Sequence, residues 1–86
     1  MRISIQYAGD GSFTRTYHGY KAKSLLRKTL KGTEFTPEDI RNLRHGDAIM
    51  KPGQTAEAIY YRGKTWVSVY DETDNGRWDL FTIYLR

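Results

Sequence analysis

The stretch TWVSVYDETDNGRWDLFTIYLR, residues 65–86, decides the fold. It holds two alternating runs on either side of DETDNG, residues 71–76. Val67 and Val69 fall on one side of the first run, with Trp66, Ser68 and Tyr70 on the other. Phe81, Ile83 and Leu85 fall on one side of the second, with Trp78, Leu80, Thr82 and Tyr84 on the other. A period of two marks a strand with one buried face. Asn75–Gly76 is a dipeptide suited to a tight hairpin, because both residue types tolerate positive φ. Upstream, AEAIYY (56–61) is joined to the first run by RGK (62–64), which adds a third strand. At the other end of the chain, RISIQY (2–7) alternates Ile3, Ile5 and Tyr7 against Arg2, Ser4 and Gln6. AGDGS (8–12) turns and FTRTYH (13–18) alternates again, which predicts a hairpin over 2–18.

Between these blocks the period changes. In KAKSLLRKTLK (21–31), at roughly 100° per residue, Ala22, Leu25, Leu26, Thr29 and Leu30 share one arc of a helix. Lys21, Lys23, Arg27, Lys28 and Lys31 share the opposite arc. Gly32 is placed to stop the helix. TPEDIRNLRHG (36–46) carries a start signal, with Thr36 as N-cap, Pro37 at the first helical position and Glu38 and Asp39 in the first turn. DAIMKPGQT (47–55) reads as a connection turning at Pro52–Gly53. The expected order is β-β-α-α-β-β-β in a single domain, 1–86. This is an α+β fold, a mostly antiparallel sheet of about five strands with two helices packed on one face.

Composition narrows the chemistry. The 86 residues include no cysteine, hence no disulfide framework, thiolate metal site or cysteine nucleophile. Histidine occurs only at His18 and His45, in no metal-ligand spacing, and no P-loop, G-x-S-x-G or dinucleotide turn is present. No metal, cofactor or catalytic residue is therefore expected. No apolar run reaches signal-peptide or membrane-span length, so a cytoplasmic location with no membrane partner is expected.

Net charge is +4 and lopsided. Residues 1–45 hold nine Lys/Arg and four Asp/Glu, and residues 46–86 hold five and six. A basic half suggests an anionic partner. The bland reading of the helix is a solvated face opposite a leucine core. Such faces usually mix signs, because acid–base pairs one turn apart add stability. Here no Asp or Glu lies between Gly11 and Thr33. Arg15, Lys21, Lys23, Arg27, Lys28 and Lys31 are thus the candidate contacts to nucleic acid or an acidic partner, with His18 beside them.

A second candidate surface is aromatic. Trp66, Tyr70, Trp78 and Tyr84 on one sheet face form an expected protein interface, including one between two copies of the chain. Base stacking and ordinary packing under a loop or the N-terminal hairpin are the alternatives. Asp71, Glu72, Asp74 and Asp79 nearby disfavour a nucleic-acid strand there. A minimal ribonuclease set of base, acid and cation would be drawn from Glu57, His45, Arg62 and Arg77, although their spacing does not demand it.

The run YHGYKAKSLLRKTLKG (17–32), after an alternating hairpin, resembles a layout of short phage and prophage accessory proteins, in which a Tyr-x-Gly-Tyr-like strand end leads into a basic amphipathic helix. The whole profile is similar to anti-CRISPR and other anti-defence proteins, which are short, cysteine-free and α+β. The resemblance implies a non-enzymatic inhibitor in the host cytoplasm, engaging a nucleoprotein complex or its nucleic acid. It transfers no site residues. Many such inhibitors are acidic mimics of nucleic acid. A basic one would engage an acidic protein patch or the nucleic acid itself. Small basic messenger-cutting toxins are also similar in size, charge and late antiparallel strands, which makes a ribonuclease toxin the alternative. Their order begins with a single strand and two helices, not a hairpin. A homo-oligomeric interaction module built on the aromatic face is the third reading.

Overall fold

The computed structural model describes residues 1–9, 11–44 and 46–85. Asp10, His45 and Arg86 lie outside the described residues. The elements are β1 (Arg2–Tyr7), β2 (Tyr17–His18), α1 (Gly19–Leu30), α2 (Pro37–Arg41), β3 (Ala48–Lys51), β4 (Gln54–Tyr61), β5 (Lys64–Thr73) and β6 (Gly76–Leu85). The strands form one six-stranded antiparallel sheet in the order β2-β1-β6-β5-β4-β3. The first and last long strands lie side by side, with Ile3 opposite Leu85, Ile5 opposite Ile83 and Tyr7 opposite Phe81.

The α+β class and the antiparallel sheet follow the expected plan, and the strand count differs by one. The segment read as a connection before Pro52 is the edge strand β3, paired with β4 through Ile49–Ala56 and Met50–Thr55. Four residues with apolar side chains on both faces give no period of two, so pattern alone did not reveal it.

α1 runs beside β1. β2 leads straight into the helix through Gly19, whose φ is 58° and whose N–H donates to the Met1 carbonyl at 3.0 Å. A side chain in that left-handed conformation costs roughly 1–2 kcal/mol, so glycine suits the junction. At the far end the Tyr7 and Thr29 hydroxyls meet at 2.9 Å. Ala22, Leu26 and Leu30 are buried in a core shared with Ile3, Ile5, Val67, Val69 and Ile83.

α2 opens with a reciprocal cap. The Asp39 N–H donates to Thr36 Oγ1 at 3.2 Å, and the Thr36 N–H donates to Asp39 Oδ2 at 2.9 Å. Lys51 Nζ of β3 donates to the same Asp39 oxygen at 2.9 Å, which ties the helix to the sheet edge. The Thr36 N–H first, and Lys51 second, hold the Asp39 carboxyl below the ordinary carboxylate range.

One irregularity redirects a side chain. Val69 pairs with Phe81 but Tyr70 pairs with Asp79, so Leu80 is an extra residue in β6. Beyond this bulge the faces of β6 exchange. Leu80 packs against the core on the helix side, and Trp78 lies opposite Asp71 on that same side. The expected sharing of one face by Trp78, Leu80 and Tyr84 is therefore corrected.

Leu26→Ala is expected to remove about 2–5 kcal/mol from a total near 5–15 kcal/mol, read as a lower urea midpoint at unchanged slope. Exposed Lys23→Ala should stay within about 0.5 kcal/mol. Asp39→Asn should destabilise at neutral pH. Because the folded-state pKa is lowered, this carboxylate's contribution is present above its unfolded value and lost as pH falls through the folded one. Wild type and variant should converge at the acid end of a pH–stability series.

Candidate functional site

The four basic side chains of α1 and that of Lys31 at its C-cap are exposed, and among the described residues none of the five is in an ion pair. Their positions on the helix separate two causes. Arg27 and Lys28 stand in the last turn and Lys31 at the C-cap, where positive charge complements the helix dipole by about 0.3–1 kcal/mol each. Lys21 stands in the first turn, where acids are favoured, and Lys23 just beyond it, where the dipole favours neither sign. The first turn holds no acid, and the N-cap, His18, makes no side-chain cap. Neither packing nor the dipole accounts for these two lysines. Tyr20, 76% exposed, heads the same surface row, three residues before Lys23 and seven before Arg27.

Two clefts flank this face. The larger, about 550 Å³, lies between the second half of α1 and residues 32–37. Arg27, Lys28 and Lys31 line one side, and Leu30, Phe35 and Pro37 supply apolar surface. The chain returns here because the Thr33 hydroxyl donates to the Leu30 carbonyl at 2.7 Å, the Phe35 N–H donates to Thr33 Oγ1 at 3.1 Å, and the Phe35 ring is buried. The smaller cleft, about 290 Å³, lies between α1 and β2 and is lined by Tyr17, Lys21, Ser24, Leu25 and Lys28. The Arg15 guanidinium sits 4.9 Å from the Tyr17 ring centroid. Ser24 and Lys28 line both clefts and so form the ridge between them.

The six cations named from sequence therefore divide. Lys21 and Lys28 line the smaller cleft, Arg27, Lys28 and Lys31 the larger, Arg15 lies against the Tyr17 ring, and Lys23 stands on the open helix surface. Tyr20, Ser24 and the apolar cleft walls were not among the expected site residues. Tyr20 was within reach of the helical period, but an aromatic residue at a helix start reads as a boundary.

The aromatic sheet face is not an open surface. Tyr70 and Tyr84 are 6% and 8% exposed. Trp66 stacks on Tyr84 with ring centroids 4.6 Å apart, and Phe13 from the β1–β2 loop packs edge-on against Trp66 at 5.5 Å. Trp66 Nε1–H is buried with no acceptor among the described residues. Trp78, 61% exposed, points to the other side of the sheet because of the bulge. The four residues expected to share one face are thus divided: Trp66 and Tyr84 pack beneath Phe13, Tyr70 is buried beside Glu57 and Arg77, and Trp78 stands exposed on the other side.

Beside that packing lies a polar network. The Tyr70 hydroxyl donates to Glu57 Oε2 at 3.0 Å, the Arg77 guanidinium covers the Tyr70 ring at 3.8 Å, and Arg77 Nε donates to Asp79 Oδ1 at 2.8 Å. Burial first, and the bond to Glu57 second, push the Tyr70 phenol up, so it remains a protonated donor. Of the four ribonuclease candidates, Glu57 and Arg77 meet through Tyr70. Arg62 lies in the turn after β4, far along the strand from Tyr70's partner Thr55, and His45 lies outside the described residues. Glu57, Glu72 and Asp79 surround the single Arg77 charge, and a phosphate there meets net repulsion.

Among the described residues no helix is long and apolar enough to cross a membrane. No family model, curated protein or solved structure matches the chain.

The placement of the two tryptophans is directly measurable. In Trp78→Phe, the remaining Trp66 should emit at short wavelength and resist acrylamide. In Trp66→Phe, the remaining Trp78 should emit at long wavelength and quench readily. Equal quenching in the two variants would contradict the bulge and the covering loop.

Proposed function

We propose that this chain is a non-enzymatic binding protein that holds nucleic acid, free or displayed by a nucleoprotein complex, on the basic face of α1. Lys21 carries this reading, because a solvated, dipole-matched helix would place an acid there, and Lys23 joins it on a face with no acid to pair with. A phosphate backbone reverses the balance: each lysine that meets a phosphate releases condensed counterions, and the interaction needs charge rather than exact geometry. The clustering of Arg15, Lys28 and Lys31 around the same helix gives the strip a continuous sign. The network around Tyr70 supports a binding role over a catalytic one, since its only cation is committed to Asp79.

In the narrower form implied by the likeness to phage anti-defence proteins, the helix would occupy a nucleoprotein effector in the host cytoplasm and act by occlusion. The resemblance alone carries that narrowing.

Replacing Lys21, Lys23, Arg27 and Lys28 with glutamine keeps helix propensity and touches no buried residue. Binding of a fluorescein-labelled oligonucleotide should weaken. The slope of log K against log salt should shrink by roughly 0.7–0.9 for each phosphate that the variant no longer neutralises. Unchanged affinity and slope would overturn the reading. RNA incubated with the wild-type protein should stay full-length. Cleavage that Glu57→Gln and Arg77→Gln abolish would establish the ribonuclease instead.

A further inference from the structure

We infer that the nucleic acid held on α1 is single-stranded, its phosphates crossing the Ser24–Lys28 ridge and its unstacked bases seated in the two flanking clefts. The inference rests on α1 being the nucleic-acid face and adds the class of strand.

A duplex offers its phosphates to a non-specific binder and keeps its bases stacked inside. Against it, a protein needs cations and polar groups, and apolar surface between the cations gains nothing. A single strand presents flat, weakly hydrated bases as well as phosphates, and proteins that hold it alternate positive charge with aromatic or apolar seats. α1 and its surroundings show the second pattern. On one side of the ridge half-buried Pro37, with the edges of the largely buried Leu30 and Phe35, lies among Arg27, Lys28 and Lys31, and on the other half-buried Tyr17 and Leu25 lie beside Lys21. Tyr20 stands 76% exposed in the row of Lys23 and Arg27, an aromatic ring with no packing role of that extent to explain it.

Size agrees with chemistry. A cleft of about 550 Å³ has room for a base with its sugar, and one of about 290 Å³ for a base alone. One helix, roughly 10–12 Å across with its side chains, separates them. A strand that crosses it can therefore leave one base on each side while its backbone passes over the ridge. The ridge is shaped for that passage. Ser24 is small and exposed, so the backbone can approach closely, and Lys28, shared by both clefts, meets the phosphate that crosses. Elsewhere on the molecule the competing aromatic platform, Trp66 on Tyr84, has Lys64 Nζ 5.4 Å from the Tyr84 ring, but it lies beneath Phe13 and Tyr84 is buried.

The test compares mixed-sequence oligonucleotides of one length as single-stranded RNA, single-stranded DNA and their duplexes, by fluorescence anisotropy at fixed salt. Wild-type protein should bind at least one single strand more tightly than the matching duplex, and the RNA and DNA arms identify which sugar is preferred. Tyr20→Ala should lose roughly tenfold for the single strand and little for the duplex. Ser24→Glu, which places a carboxylate on the shared ridge, should lose more, with circular dichroism confirming that α1 is intact. Duplex binding as tight as single-strand binding, or a Tyr20→Ala variant that retains full single-strand affinity, would overturn the inference while leaving the glutamine series free to support α1 as the site. If no oligonucleotide binds, or the glutamine series changes nothing, both the inference and the reading beneath it fall.

Discussion

Ile5, Ile83, Val67 and Ala58 stand side by side across β1, β6, β5 and β4, and each is at most 1% exposed. The row fixes the register of four strands at once. A slip of one residue in any of them would turn its apolar side chains outward, so burial penalises every alternative pairing. Because β1 is locked to β6 by this row, the short strand that follows it sits at one edge of the sheet, while β3 sits at the other. The chain between them must cross the sheet face, and the helical segment that does so supplies the cover the row needs. α1 is tied along β1 at both ends, and α2 is tied to β3 through Lys51. Leu26 and Leu30 then face the core, and the opposite arc of α1 has no choice but solvent.

The two faces of the sheet are covered by different means, and each in part, since Met50 and Ile59 on the aromatic side and Trp78 on the helix side stay exposed. On one side helices supply a core of aliphatic side chains. On the other no helix is present among the described residues, and the N-terminal loop lays Phe13 against Trp66 while Tyr84 and Tyr70 fill the space below. The bulge at Leu80 completes the separation. It turns Arg77 and Asp79 toward Tyr70 and sends Trp78 to the other side. Part of the aromatic surface in the alternating pattern is therefore taken up by packing, while the outer face of α1 stays charged and exposed.

Local periodicity reported what it can report. The arcs of α1, the cap at Thr36 and the hairpin at Asn75–Gly76 depend on neighbours a few residues apart, and they were legible. β3 was hidden because both of its faces carry apolar residues and only four residues pair. Trp78 was misplaced because a bulge leaves no mark in the alternation when the extra residue, Leu80, is itself apolar. Phe13 fits its own alternating run, and nothing local shows that it reaches a strand more than fifty residues away. The clefts were invisible for the same reason: residues 32–37 line one only because Phe35 is drawn into the core, a tertiary event. The cations of the proposed site were readable, and the apolar cleft walls between them were not.

The charge on α1 has an energetic consequence for any ligand it takes. Residues three and four apart on a helix have Cβ atoms about 5–6 Å from one another, so their cationic ends share one surface within reach of mutual repulsion that salt screens over roughly 8 Å. They repel, and near the first turn Lys21 also faces the positive end of the helix dipole. The free helix is thus held in place by Ala22, Leu26 and Leu30 against an electrostatic penalty on its outer side. A bound polyanion removes that repulsion and meets the dipole at its favourable end, so binding and helix stability reinforce one another. The leucine face and the lysine face are in this sense one design: the buried arc holds the helix in place against the repulsion that the outer arc, with no acid of its own, leaves uncompensated.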